Sequence, residues 1–542
     1  MIIYQSAFNV VIYSITITFL YYLYFGGKIM TQADICILIA IIFYLAVVVF
    51  IGYRFSKKNK SSDDFYLGGR KLGPFVTAMS AEASDMSSWL LMGLPGVAYI
   101  SGIADAGWTA IGLAIGTYLN WLIVAKRIRK YSHISGNSIT IPSFFSNRYR
   151  DKSGVIVIAS AIIIVIFFIP YTASGFAACG KLFSSLFNID YYVAMVISAI
   201  IIVAYTALGG FLAASTTDFM QSIIMSIALI IVLIFGVNVA GGFDAVIDNA
   251  SNLPGFLSLT ETFNAELGTA GNYGFLTIIS TLAWGLGYFG MPHILLRFMA
   301  IEDHKKLKLS RRVASIWVVI SLAVAIFIGV VGLAMSKNGA IDTLSGSNSE
   351  NIIIKIASLL STHGIFPALL AGIILAGILA STMSTADSQL LAASSAVSSD
   401  IFGKILNKKI TPKISMIIAR ITLLVISVIA VILAWDPQSS VFKIVSFAWA
   451  GFGAAFGPVV LFALFWRRSN KYGAIAGIIS GGASVFIWKY LVRPLGGAFD
   501  IYELLPAFII ASLMIVVVSL LTKAPEQEIL DEFDKVKNEI NE

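Results

Sequence analysis

Charge is what this chain has least of. Of its 542 residues only 12% are charged and 58% are hydrophobic, whereas soluble domains carry about 25% charged and about 45–50% apolar residues. A water-soluble globular fold is thereby excluded. Cysteine is as scarce: Cys36 and Cys179 both lie inside apolar segments, so neither a disulfide framework nor a four-cysteine metal site is available. The four histidines, His133, His293, His304 and His363, are scattered without metal-ligand spacing, which argues against a metalloenzyme. A catalytic triad and a phosphate-binding loop are also missing. No polar stretch is long enough for a second, soluble domain.

Apolar runs recur along the whole length instead, each of roughly 20 residues and so long enough as a helix to cross about 30 Å of hydrocarbon. The alternating pattern of an outer-membrane barrel is absent, so an all-α integral membrane protein is expected. Thirteen core spans are read near 33–53, 75–100, 106–125, 153–178, 191–209, 219–241, 274–299, 313–335, 365–396, 414–435, 441–466, 472–492 and 504–522. The connections alternate in basic content. Those after spans one, three, seven, nine and eleven hold "RFSKKNK", "AKRIRKYSH", "EDHKKLKLSRR", "GKILNKKITPK" and "WRRSNK", while residues 242–274 contain no Lys or Arg. By the positive-inside rule the basic ends are cytoplasmic, as is the C-terminus. The net charge of +8 is therefore topological, and a nucleic-acid partner is not expected.

Two terminal segments stand apart from the core. "FNVVIYSITITFLYYLYFGG" is apolar enough for a span but lacks the basic start and cleavage site of a secretory signal. Residues 1–29 are either an extra peripheral helix or an extension upstream of a natural start near Met30. In the tail, residues 523–542, Ile529, Phe533, Val536 and Ile540 recur at helical spacing among charges, the pattern of a short amphipathic helix on the cytoplasmic face rather than of a regulatory module.

Polar and helix-breaking residues inside spans locate the chemistry. The second span contains "SAEASDMSSWLLMGLPG", and the seventh "STLAWGLGYFGMPHILLRF" with Gly285, Gly287, Gly290 and Pro292. If spans two to six and seven to eleven are two five-helix units, both interruptions fall in the first helix of a unit, the mark of an inverted-repeat transporter. Backbone freed at membrane depth costs several kcal/mol per group unless something polar meets it. A dehydrated cation suits the carbonyls, and a half-helix N-terminus suits a carboxylate. The plainer alternative is a kink satisfied by a neighbouring helix. In "LASTMSTADSQLL" of the ninth span, Ser381, Ser384 and Thr385 share one face at i, i+3 and i+4. Their hydroxyls either ligate a cation or bond back along their own helix. The intramembrane carboxylates Glu82, Asp85 and Asp387 are functional candidates by their cost alone. Asp85 is expected to cap the reopened helix or to sit near the cation, and Glu82 to act there or to face the cytoplasmic vestibule.

These residues carry a resemblance. "FYLGGRKLGPFVTAMSAEASDMSSWLLMGLPG", "WGLGYFGMPHILLRFMA", "GGFLAASTTDFMQ", "MSTADSQLLAASSA" and "SFAWAGFGAAFGPVVLFALFWRR" resemble the solute:sodium symporter family from about Met30 to the tail. The resemblance implies thirteen helices in the five-plus-five inverted repeat of the LeuT-type fold. It divides the chain into a transporter unit at 30–522, with repeats at about 75–241 and 274–466 and further spans at 472–522. It also implies sodium ions as coupling partner, held by the carbonyls of Ala83, Met86 and Ser381 and the hydroxyls of Ser384 and Thr385. L-proline is the implied solute, contacted by Ser87, Tyr171, Trp284, Tyr288 and Pro292. Arg70, Asp85, Asp218 and Asp387 are implied in coupling, and Asp218 with Asp387 in a second cation site such as some relatives have. Relatives commonly have small residues where Glu82 and Ser88 stand, and some lack the carboxylate of Asp387. The expected setting is the inner (plasma) membrane, with the bilayer as partner and no obligate protein partner. The rivals are the same machine with another solute (another amino acid, pantothenate or a sugar acid) and a membrane sensor. A sensor needs a signalling module beyond the last span.

Overall fold

The computed structural model describes residues 30–56, 62–402 and 412–541, so the expectation for residues 1–29 lies outside the described residues. The principal helices are α1 Gln32–Ser56, α2 Pro74–Asp85, α3 Leu94–Ser101, α4 Ile103–Leu119, α5 Val155–Phe187, α6 Tyr191–Val239, α7 Phe275–Leu282 and α8 Pro292–Ala300. They continue with α9 Leu307–Lys337, α10 Ile365–Ser395, α11 Pro412–Leu433, α12 Val441–Phe465, α13 Lys471–Ile487, α14 Leu504–Leu521 and α15 Gln527–Asn541. A short antiparallel hairpin, Glu261–Asn264 with Thr269–Asn272, lies in the connection that lacks Lys and Arg.

Among the described residues nine helices are long and apolar enough to cross a membrane, or ten when the bent pair Phe275–Phe289 and Pro292–Ala300 counts as one. Three shorter apolar helices, Trp89–Ser101, Tyr191–Ala207 and Ile417–Leu433, stand where spans two, five and ten are expected. Apart from that hairpin the described residues are helices and their connections, and the chain is a multi-pass membrane protein. In α9, Ala314, Val318, Leu322 and Ala325 are buried while Ile316, Val319 and Ile320 are exposed, so one stripe packs inward and the other meets solvent that must itself be apolar. A water-soluble helix puts charges there.

Close packing rests on small residues, since lipid gives apolar helices no hydrophobic reason to associate. A Cβ on Gly116 of α4 would lie 2.3 Å from the Gly285 carbonyl oxygen, and one on Gly285 would lie 2.2 Å from that of Gly112. The backbones of the third and seventh spans thus touch directly. Spans five and six differ from expectation. The stretch between them is helical, and α6 runs through it with one turn at Gly210 (φ 71°, ψ 176°). Glycine alone reaches that φ without strain. Downstream, Thr216 and Thr217 donate back to the carbonyls of Leu212 (2.8 Å) and Ala213 (3.1 Å) and stay within the helix.

The tail forms the amphipathic helix expected of it. Ile529, Phe533 and Val536 are buried, with Phe533 near the Arg148 guanidinium (5.3 Å from the ring centre). Arg150 reaches the half-buried Glu532 at 2.7 Å and the exposed Glu528 at 3.1 Å, the exposed pair contributing little. The apolar face holds the helix to the basic end of the bundle.

Gly116→Val is expected to lower the thermal unfolding midpoint and to abolish transport, because overpacking costs about 1–3 kcal/mol and here the obstacle is backbone. An unchanged midpoint in detergent would refute the direct backbone contact.

Candidate functional site

The second span breaks where the sequence places its polar residues. Pro74 starts α2, where a missing amide costs nothing. The helix ends at Asp85, Met86 leaves helical geometry (φ −73°, ψ 69°), and a π-helical turn at Trp89–Gly93 leads into α3. The carbonyls freed there find partners on other spans and just past the break on the same one. Ala83 accepts from Ser384 Oγ at 2.8 Å, and Asp85 accepts from Trp89 Nε1 at 3.0 Å and Tyr171 OH at 3.1 Å. The Asp85 side chain does not cap the reopened helix. Its Oδ2 accepts from Tyr288 OH at 2.7 Å, which joins the second span to the seventh.

On the ninth span all three hydroxyls bond back along their own helix, and one of them also reaches the second span. Ser381 Oγ bonds back to Ile378 at 2.8 Å and Thr385 Oγ1 to Ser381 at 3.1 Å. Ser384 shares its donation between the Ser381 carbonyl at 3.1 Å and the Ala83 carbonyl across the interface. Ala83, Ser381, Ser384 and Thr385 therefore form one buried cluster of oxygens. Met86 is fully buried at the end of α2.

The seventh span unwinds from Ala283 to Phe289 as a 3-10 turn and bends by 45° before α8. Neighbouring side chains satisfy its carbonyls: Trp449 Nε1 donates to Trp284 at 2.8 Å and Asn120 Nδ2 to Tyr288 at 2.9 Å. Glycine is required for that approach, since a Cβ on Gly287 would overlap Trp449 at 1.9 Å. Trp284 stacks on Tyr502 (5.3 Å, 22°) and lies near Phe442 (5.3 Å) and Trp89 (6.1 Å). It walls a cavity of about 880 Å³ drawn from connections of the less basic end, between Gly93 and Asp105, Gly346 and Glu350, and Gln438 and Ser446. Of the expected substrate residues only Trp284 lines this vestibule. Ser87, Tyr171, Tyr288 and Pro292 are buried, and the two tyrosines converge on Asp85. Pro292 opens α8.

A family model described as "Sodium:solute symporter family" matches residues 65–481. The chain belongs to that family. A sodium/proline symporter of Haemophilus influenzae is 43% identical to it over 509 residues, covering 93% of this chain and 98% of that one. One from Salmonella typhimurium is 41% identical over 493 residues, covering 91% and 94%. The fold matches that of a solved Na⁺-coupled sialic acid symporter in a substrate-bound outward-open state, with a TM-score of 0.73 at 19% identity over 91% of this chain and 99% of that one. The fold is of the LeuT type, and sodium is the coupling ion that family membership implies. The protein is a transporter and not an enzyme.

Beneath the breaks the symporter holds a buried polar network that sequence reasoning found only in part. Asp218 Oδ2 accepts from Arg297 Nη2 at 3.0 Å and from Ser80 Oγ at 2.7 Å. Arg297 also donates to Ser80 Oγ (3.0 Å), the His293 carbonyl (2.9 Å) and Ser388, whose hydroxyl turns to Asp387 Oδ1 at 3.2 Å. Spans two, six, seven and nine thus meet on one guanidinium. Arg297 is legible in "HILLRF" by the same cost argument that singles out the intramembrane carboxylates. Arg70 lies elsewhere, at the basic end, with Nη1 on the Met299 carbonyl (2.6 Å) and Nη2 on that of Ser138 (2.8 Å). Glu82 does not face an open vestibule: it is buried and accepts from Trp121 Nε1 at 2.8 Å.

Removing one member of a buried ion pair costs about 3–5 kcal/mol, because the other is left uncompensated. Arg297→Ala is expected to lose stability on that scale, and Arg297→Ala with Asp218→Ala to recover part of it. Thermal unfolding of both variants checks this, and equal midpoints for wild type and Arg297→Ala would contradict the pairing.

Proposed function

We propose that this symporter couples inward sodium flow to the uptake of L-proline by alternating access. The observation that carries the proposal is the meeting of the Ser384 hydroxyl with the Ala83 carbonyl at 2.8 Å, where a broken helix touches a hydroxyl-bearing one. The donors there are neutral oxygens of carbonyls and hydroxyls, which suit a hard cation. In this reading the carbonyls of Ala83, Met86 and Ser381 and the hydroxyls of Ser384 and Thr385 hold sodium. Electrostatics supports a cation nearby. Glu82, Asp85, Asp218 and Asp387 are buried in this region, and among the described residues only Asp218 has an ion-pair partner, Arg297; a positive ion suits such a cluster of carboxyl groups.

Proline has an apolar ring and charged ends, and aromatic walls with a few polar groups suit it. Trp284, Tyr171 and Tyr288 supply the walls, with Ser87 at the break and Pro292 at the start of α8. The full-length relatives named as sodium/proline symporters support this solute. Asp85 ties the sodium-holding break to Tyr288, so ion and solute each stiffen the same junction. Whatever factor sodium gives to proline affinity, proline must return to sodium. Arg70, Asp218 and Asp387 act in coupling: Arg70 holds the seventh span at the basic end, and the carboxylates set the field along the cation path.

The same reading arranges residues 30–522 as thirteen spans, with repeats at about 75–241 and 274–466 and two more spans at 472–522. The basic end and the 523–542 tail face the cytoplasm of a cell whose inner (plasma) membrane holds the protein.

Ser384→Ala with Thr385→Ala is expected to weaken sodium activation of proline uptake at least tenfold, since each lost oxygen ligand removes a charge-assisted contact of about 1.5–3 kcal/mol. Unchanged sodium activation would remove the assignment. In parallel, unlabelled proline should compete with labelled proline uptake better than other amino acids, pantothenate or sugar acids. Stronger competition by one of these would transfer the machine to that solute.

A further inference from the structure

A polar cavity lies apart from the transport site. It encloses about 590 Å³ at the basic end, between the helix Ala125–Ile134 and the start of α9. Lys126, Lys130, Lys305, Lys308 and Arg311 line it, against Glu539 as the one lining carboxylate. The tail occupies two of these cations. Lys126 donates to the Ile540 carbonyl, and Lys130 to that of Glu539, whose carboxylate is 3.9 Å away. Among the described residues Lys305, Lys308 and Arg311 form no ion pair, and the Arg311 Nε, inside the protein surface, has no hydrogen-bond partner. The Arg311 guanidinium instead lies over the Tyr118 ring at 5.2 Å.

The walls running away from the charges are apolar and exposed. Ile115, Leu119, Leu122 and Ile123 lead from one side and Ile316 and Ile320 from the other, and these are the lipid-facing stripes of spans three and eight. A cluster of unpaired cations where such stripes end matches a ligand with a phosphodiester anion at its head and hydrocarbon behind it. We propose that this cavity binds the headgroup of an anionic phospholipid. Free inorganic phosphate shares the head's chemistry but has no use for the apolar walls. The inner wall includes Trp121, which holds Glu82 on the broken helix, so a bound lipid braces the wall next to that helix.

The test is native mass spectrometry of the full-length, delipidated protein, titrated with phosphatidylglycerol, with phosphatidylcholine of the same chains, and with inorganic phosphate alone. Phosphatidylglycerol is expected to be retained over phosphatidylcholine. Lys305→Gln, Lys308→Gln and Arg311→Gln together are expected to weaken that retention, each by roughly fivefold. The charge-conserving set Lys305→Arg, Lys308→Arg and Arg311→Lys, with an unchanged unfolding midpoint, is expected to keep it and to control for misfolding. Equal retention of the two lipids, undiminished retention in the glutamine variant, or loss in the charge-conserving variant would each overturn the proposal. Displacement of phosphatidylglycerol by inorganic phosphate at similar concentration would do so too, and would mark a soluble-anion site.

Discussion

A helix that stops at membrane depth frees carbonyls that no water can satisfy, and each must find another partner. In this protein the break after Asp85 imposes that condition, and much of the central architecture meets it. Ser384 takes the Ala83 carbonyl, while Trp89 and Tyr171 take that of Asp85. The second, fourth and ninth spans are thereby drawn to one point, and the Asp85 carboxylate brings in the seventh through Tyr288. The second break obeys the same rule with Trp449 and Asn120 as donors. Because every partner but Trp89 sits on a span other than the broken one, the breaks act as joints where small helix movements change which oxygens are available.

The two ends of the bundle differ in a way that bears on alternating access. At the less basic end the vestibule of about 880 Å³ reaches Trp284. At the basic end the backbone is closed by direct contacts: Leu72 N donates to Ala300 (3.2 Å), Glu302 N to Leu72 (3.0 Å), Arg129 to Ile301 (2.8 Å), and Arg70 bridges Met299 and Ser138. The tail helix packs over part of this end through Phe533. An open side and a closed side, with Asp85, Tyr171 and Tyr288 buried between, is the arrangement an alternating-access carrier needs in one of its states.

Much of this was legible in the residues. Glycine and proline inside apolar runs marked both breaks, because those residue types weaken the helix that lipid otherwise enforces. The i, i+3, i+4 hydroxyls marked the face of α10 that meets the first break. The amphipathic period of the tail gave its helix and its buried face. Other features were not legible, for physical reasons. That Asp85 binds Tyr288 rather than capping a helix depends on how two breaks superpose in space. The turn at Gly210 looks like a loop in sequence, but one glycine φ reorients a helix without ending it. In sequence Glu82 stays open between a role at the break and a place in the vestibule, because its partner Trp121 lies 39 residues later in the chain. The Arg297 hub joins four spans, and spacing along one span does not reveal which others its guanidinium reaches.

The most direct test of the central claim is uptake of radiolabelled proline into proteoliposomes containing the purified protein. Proline accumulation driven by an inward sodium gradient, and absent without sodium, is the result this account predicts. Accumulation driven equally well by a proton gradient alone would contradict it.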